Sequence, residues 1–204
     1  VQWQTVATMQ AARDYDPSLP PVLYQEGNLS VALTRNRIVE QFLASDCDVL
    51  AMVDDDIAPP LNFVELLLPF VGEYAMVGMP HVSPHPTEPH NLILCVYAAD
   101  PEGLRPMGLF DGINECAALA TGCVLISRRA LVELGPAPFR IEHDPRAALQ
   151  SDDMLFCADL RTAGFRIGCY WNGHPVDHFR ATNLTPLYEG RTEGATRIWH
   201  PGQH

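Results

Sequence analysis

Basic charge is scarce in this chain. Its 204 residues include 13 Lys and Arg against 25 Asp and Glu, for a formal net charge of −12. Binding along phosphate backbones runs on counterion release by basic side chains. The balance therefore argues against a surface built to coat nucleic acid, although a local basic groove depends on distribution rather than on the sum. Long apolar runs are also missing. None approaches the roughly 20 residues that a spanning helix needs, so no membrane is expected. The opening residues Val1, Gln2, Trp3 and Gln4 have neither the basic nor the apolar stretch of a signal peptide, and the expected location is the cytoplasm. The six cysteines contain no CxxC pair. Cys47, Cys95, Cys116, Cys123, Cys157 and Cys169 sit mostly in apolar segments, which reads as buried reduced thiols rather than disulfides or zinc ligands. A Gly-rich phosphate loop is absent near the start, which weighs against a nucleotidyltransferase. There is no internal repeat, low-complexity tract or linker. With 47% hydrophobic residues over 204 positions, the chain can bury one substantial core, and residues 1–204 read as one domain with an irregular polar tail from 182.

The first half alternates helix and strand. Residues 1–13 read as a helix, and 22–25, after Pro20 and Pro21, as a short strand. Over 30–44 the apolar positions Val31, Leu33, Ile38, Val39, Phe42 and Leu43 have helical spacing, with Ser30 as cap. The run 48–53 is almost continuously apolar and stops at three aspartates, as a buried parallel strand does where its C-terminal end opens on a site. Residues 62–68 suggest a short helix and 74–79 another strand. This alternation predicts an α/β sheet with right-handed crossovers. A helix comes first where such folds usually open with a strand, so either that strand is missing or residues 5–9 are extended. Residues 80–90, rich in proline, read as an irregular loop; with His81, His85 and His90 lacking regular ligand spacing, it has the character of a flexible lid.

The second half predicts antiparallel strands over 91–98 and 104–110. A strand over 118–127 and a helix over 128–134, ended by Gly135 and Pro136, follow. A helix over 152–162, a strand over 165–170 and a last strand over 176–179 complete the reading.

The sharpest local feature is Asp54-Asp55-Asp56. In an extended chain Asp54 and Asp56 point the same way, and two such carboxylates make a hard-oxygen site for Mg²⁺ or Mn²⁺ bridging to a diphosphate. The bland alternative is a solvated acidic turn; the apolar strand before the triplet favours the site. Asp152 and Asp153 follow Ser151 at a helix start, where carboxylates act as caps or supply a general base. His174 and His178 lie near a strand end, suited to a borderline metal, although each alone reads more readily as an ordinary polar residue. Arg35 and Asn36, with Arg37, could reach a pyrophosphate. Gly122, after Thr121, breaks an apolar strand and suggests a close approach by substrate or backbone. Trp171 could stack on a sugar or base, or belong to the core.

Taken in order, 33–43 (LTRNRIVEQFL), 49–57 (VLAMVDDDI), 120–127 (ATGCVLIS), 152–156 (DDMLF) and 163–167 (AGFRI) resemble the GT-A glycosyltransferases of the family 2 type, particularly small phage-borne members. The resemblance spans about residues 33–179. It implies a GT-A fold, a mixed central sheet flanked by helices, with a nucleotide-sugar-binding half over 1–79 and an acceptor-binding half over 80–181. It implies a metal, Mn²⁺ or Mg²⁺, on Asp54, Asp56 and His178, and a nucleoside-diphosphate sugar, UDP-sugar first, at the aspartate triplet; the local readings add Arg35, Asn36 and Asp55 on the donor side and put the acceptor at Thr121, Gly122 and Trp171. Asp153, with Asp152 beside it in place of the usual Glu, matches the base of inverting members. The acceptor it implies is a hydroxyl on a modified DNA base, a glycan or a protein, in the host cytoplasm if the chain is phage-encoded. Arg180, Arg191 and Arg197 could form a local basic patch for DNA. The rival classes are a nucleotidyltransferase and a non-catalytic metal- or carbohydrate-binding module.

Overall fold

The computed structural model describes residues 3–19, 30–84, 91–142 and 151–179. The predicted strand at 22–25, the tail from 182, and His85, His90, Arg180, Arg191 and Arg197 lie outside them.

Helix α1 (Trp3–Tyr15) opens the described chain, so residues 5–9 are helical rather than extended. Helix α2 (Val31–Leu43) begins at Ser30, whose side chain accepts a hydrogen bond from the Leu33 amide. There follow β1 (Val49–Val53), β2 (Ile57–Ala58), α3 (Phe63–Leu67) with a 3₁₀ turn after it, β3 (Met76–Gly78), β4 (Val82–Pro84) and β5 (Leu92–Leu94). Next come β6 (Val96–Asp100), β7 (Gly103–Pro106), β8 (Gly112–Cys116), β9 (Ala118–Leu119) and β10 (Cys123–Ser127). The chain continues through α4 (Arg128–Leu134), α5 (Asp152–Thr162), β11 (Ile167–Trp171) and β12 (Asp177–His178).

The central sheet has five strands in the order β1-β10-β3-β11-β8. It is mixed: β3 and β11 pair in parallel, whereas β1–β10, β10–β3 and β11–β8 are antiparallel. The expectation of a parallel strand over 48–53 is therefore corrected. A continuous apolar run reports that both faces are covered, not which way the neighbour runs, and here β10 enters from the second half of the chain to separate β1 from β3.

Alternate residues face two cores, as the pleat requires. Leu50, Met52, Met76, Val124, Ile126, Ile167 and Cys169 pack with Val39, Phe42, Phe139, Phe156 and Leu160 beneath α2, α4 and α5. On the other face Val77, Cys123 and Leu125 pack with Ala12 of α1, Phe63, Leu67 and Tyr74. Phe139 and Phe156 stack with ring centroids 4.4 Å apart.

Three further expectations change. The buried stripe of α2 is Ala32, Arg35, Val39 and Phe42, and Val31 and Leu33 are exposed. The predicted strand at 118–127 divides into β9 and β10 around Ala120, Thr121 and Gly122. The predicted last strand is β12, which leaves the main sheet and pairs with β2, setting His178 opposite Ile57. The cysteines are all free, five buried and Cys47 half-buried. Burial pushes the Cys123 and Cys157 thiols up to about 12, so both stay protonated and inert. Among the described residues no helix is long and apolar enough to cross a membrane.

Candidate functional site

The C-terminal ends of β1 and β3 and the start of α5 meet at one cleft. Residues 54–57 form a turn there. The Asp54 amide donates to the Gly122 carbonyl (2.9 Å), and the Ile57 amide donates back to the Asp54 carbonyl (3.2 Å). Because this stretch turns, Asp54 and Asp56 do not alternate as in a strand, and their carboxylates go to different partners.

Asp54 goes to Arg35. The guanidinium Nη2 donates to both Asp54 oxygens, at 2.9 and 2.7 Å, while Nη1 donates to Asp152 Oδ2 at 2.7 Å and to Asp153 Oδ1. Arg35 is 5% exposed and Asp152 7%, whereas Asp54 and Asp153 are half-buried, so three carboxylates gather around one buried cation at the edge of the cleft. Burial alone would lower the pKa of Arg35, but the three carboxylates outweigh it and raise the value, holding the side chain charged. Loss of water pushes Asp54 up to about 6 despite Arg35, and raises Asp152 for the same reason. Arg35 Nε has no hydrogen-bond partner, and the guanidinium carbon lies 5.7 Å from the Phe139 ring centroid. Thr121 Oγ1 donates to Asp153 Oδ1 at 2.5 Å.

Asp56 goes to His178. A carbonyl oxygen only accepts, so the 2.6 Å contact between His178 Nδ1 and the Val82 carbonyl places a proton on Nδ1. In the neutral ring Nε2 then carries a lone pair, and it faces Asp56 Oδ2 at 3.1 Å. A lone pair and a carboxylate oxygen at that separation repel unless a proton or a cation joins them. His178 is 2% exposed, fixed by the β12–β2 ribbon and by the Phe179 amide, which donates to the Asp56 carbonyl at 2.7 Å.

His81, expected on a flexible lid, instead lies in this site. It is 7% exposed, bridges in parallel to Val176, and packs edge-on to His178 with centroids 4.8 Å apart. Burial, then His178, push its pKa down to about 4, so it is neutral at physiological pH. Gly122 makes room for it: a Cβ there would meet His81 Nδ1 and Cε1 at 2.8 Å. The close approach predicted at Gly122 is thus by a side chain.

The cleft has a volume of about 1460 Å³ and is lined by Asp54, Asp56, His81, Asp153 and His178, among others, continuing between α1 and α2 past β1. Several predicted ligands are engaged or placed differently. Asn36 Nδ2 donates to the Phe139 carbonyl (2.8 Å) and its Oδ1 accepts from the Phe139 amide (2.9 Å), so it is a brace for the backbone. Arg35 is committed to carboxylates rather than presented to a pyrophosphate. Thr121 is fully buried and holds Asp153 instead of meeting a ligand. Trp171, half-buried, pairs with Gly112 toward the far edge of the sheet and does not line the cleft. His174 is exposed in the turn before β12. Asp55 is exposed at the turn, and its carbonyl accepts from Thr5 Oγ1 at 3.0 Å. Among the described residues no group of three or more His, Cys, Asp or Glu is arranged to hold a metal. Asp54 faces Arg35, which leaves Asp56 and His178 as a pair.

No family model matches the chain, and no curated protein does. Among solved structures, the crystal structure of A197 from STIV matches with a TM-score of 0.60 and 21% identity, over 89% of this chain and 84% of that one. At that identity the likeness is one of fold.

Proposed function

We propose that the chain is a metal-dependent glycosyltransferase that moves a sugar from a nucleoside-diphosphate sugar, UDP-sugar first, to an acceptor hydroxyl. The observation that carries this reading is the Asp56–His178 pair, with a carboxylate oxygen and an imidazole nitrogen 3.1 Å apart at the cleft. An octahedral ion with ligand bonds of about 2.1 Å sets neighbouring ligands about 3 Å apart, so the pair fits two positions of one shell. The carboxylate suits Mn²⁺ or Mg²⁺, and the imidazole is the softer donor of the pair. Asp54, at the same strand end, is the third group that would hold the ion once released from or shared with Arg35. When bound, such a metal offsets the charge of a departing diphosphate.

Asp153 supports the same reading. Thr121 and Arg35 both donate to Oδ1, which orients the carboxylate and leaves Oδ2 as the oxygen to take a proton from the acceptor hydroxyl. That arrangement suits a single displacement with inversion. The likeness to A197 supports the fold on which these roles depend. The test is a donor screen by mass spectrometry with Mn²⁺, several UDP-sugars, and hydroxymethylated DNA, glycans, protein and water as acceptors. Transfer that is present in wild type and lost in Asp153→Asn is expected; equal transfer by both overturns the assignment.

A further inference from the structure

His178 and His81 touch, yet their surroundings dictate opposite tautomers. His178 Nδ1 donates to Val82, so in the neutral ring the nitrogen that it turns to Asp56 is an acceptor. His81 Nδ1 is buried without a hydrogen-bond partner among the described residues, and the Nδ1–Cε1 edge lies against Gly122. A buried N–H left unpaired is costlier and rarer than an unpaired lone pair, so the proton of His81 belongs on Nε2. That is the ring nitrogen left for the cleft, which His81 lines. The ring packs edge-on to His178 and shares the cleft with Asp56, His178 and Asp153, that is, with both the pair suited to a cation and the carboxylate suited to an acceptor proton.

We propose that His81 presents an Nε2–H hydrogen-bond donor to a hydroxyl oxygen of the glycosyl group in the cleft, a specificity-determining contact beyond the metal and base residues. The choice of a sugar oxygen rests on the glycosyl-transfer reading; the donor tautomer does not. A cation is disfavoured as the partner of this nitrogen, because an N–H offers it no lone pair. Gly122 belongs to the same device, since only the missing Cβ lets the ring lie where Nε2 reaches the cleft.

Two measurements on the full chain test this. Nitrogen-15 NMR of histidine-labelled protein should show His81 as the Nε2–H tautomer and His178 as the Nδ1–H tautomer. An Nδ1–H signal at His81 overturns the proposal whatever the protein does. Calorimetry with Mn²⁺ then compares UDP with UDP-glucose and UDP-N-acetylglucosamine. His81→Phe should weaken at least one UDP-sugar about tenfold and leave UDP unchanged. His81→Gln, whose amide nitrogen reaches the Nε2 position, should restore the affinity, and His81→Asn, which mimics Nδ1, should not. An equal loss for UDP and UDP-sugars, or equal behaviour of Gln and Asn, overturns the sugar contact. If wild type binds no nucleotide, the glycosyltransferase reading falls and the sugar assignment falls with it, whereas the NMR result still judges the donor.

Discussion

Replacing Arg35 by Met removes the cation that Asp54, Asp152 and Asp153 share and keeps most of the apolar stem. Arg35 makes four hydrogen bonds to Asp54, Asp152 and Asp153, with its own side chain 6% exposed. Deleting one partner of a buried ion pair leaves an uncompensated charge and costs about 3–5 kcal/mol. Here three carboxylates are left together, but Asp54 and Asp153 are partly open to water, so the middle of that range is expected at pH 7.5. Against a typical total of about 5–15 kcal/mol, the variant should be barely folded. The loss should shrink on acidification, and the sign follows from the shifts. Asp54 and Asp152 are raised in the folded state, so the folded protein holds their protons more tightly than the unfolded chain. The cost of ionising them is absent below the ordinary carboxylate range and grows as the pH rises through about 6 for Asp54. Without Arg35 that window moves higher still. Urea unfolding followed by circular dichroism at pH 7.5 and 5.0 should show a deficit of about 4 kcal/mol falling to about 2 or less. A deficit under about 1 kcal/mol at pH 7.5, or one independent of pH, would refute the view that Arg35 is the counter-ion of this cluster.

Gly122→Ala puts a Cβ 2.8 Å from the His81 ring, so it should destabilise by about 1–3 kcal/mol and should be rescued in part by His81→Ala, as a double-mutant cycle would read. Asn36→Ala leaves the Phe139 amide and carbonyl without their partners and should cost about 1–3 kcal/mol of stability in urea, with nucleotide affinity unchanged once the protein is folded. Asp153→Asn should lower the turnover of any UDP-sugar transfer by about 10²–10⁴-fold while donor affinity stays within about threefold.

Much of this arrangement was legible in the residues because local chemistry wrote it. Ser30 capping α2, the helix at the start, the strand ending at the triple aspartate and the free buried cysteines follow from capping, periodicity and composition. Asp54, Asp56, Asp153 and His178 do line one cleft. What was not legible depends on contacts distant in sequence. Arg35 looked like a pyrophosphate contact because nothing local announces that Asp152, 117 positions away, shares its guanidinium. Asn36 and Thr121 looked like ligand contacts because their partners, Phe139 and Asp153, are also remote. The antiparallel pairing of β1 with β10 was hidden for the same reason. His81 had a readable signal, its place just beyond the end of β3, but the prolines around it made the segment look like open loop.

The decisive measurement is Mn²⁺ binding in the presence of UDP, followed by electron paramagnetic resonance on wild type, Asp56→Ala and His178→Ala. The expected result is a bound ion in wild type and an affinity at least about tenfold weaker in each variant, since even a group that only supports a ligand is worth about that much. Equal binding by all three proteins, or none by wild type, would contradict a cation held between Asp56 and His178.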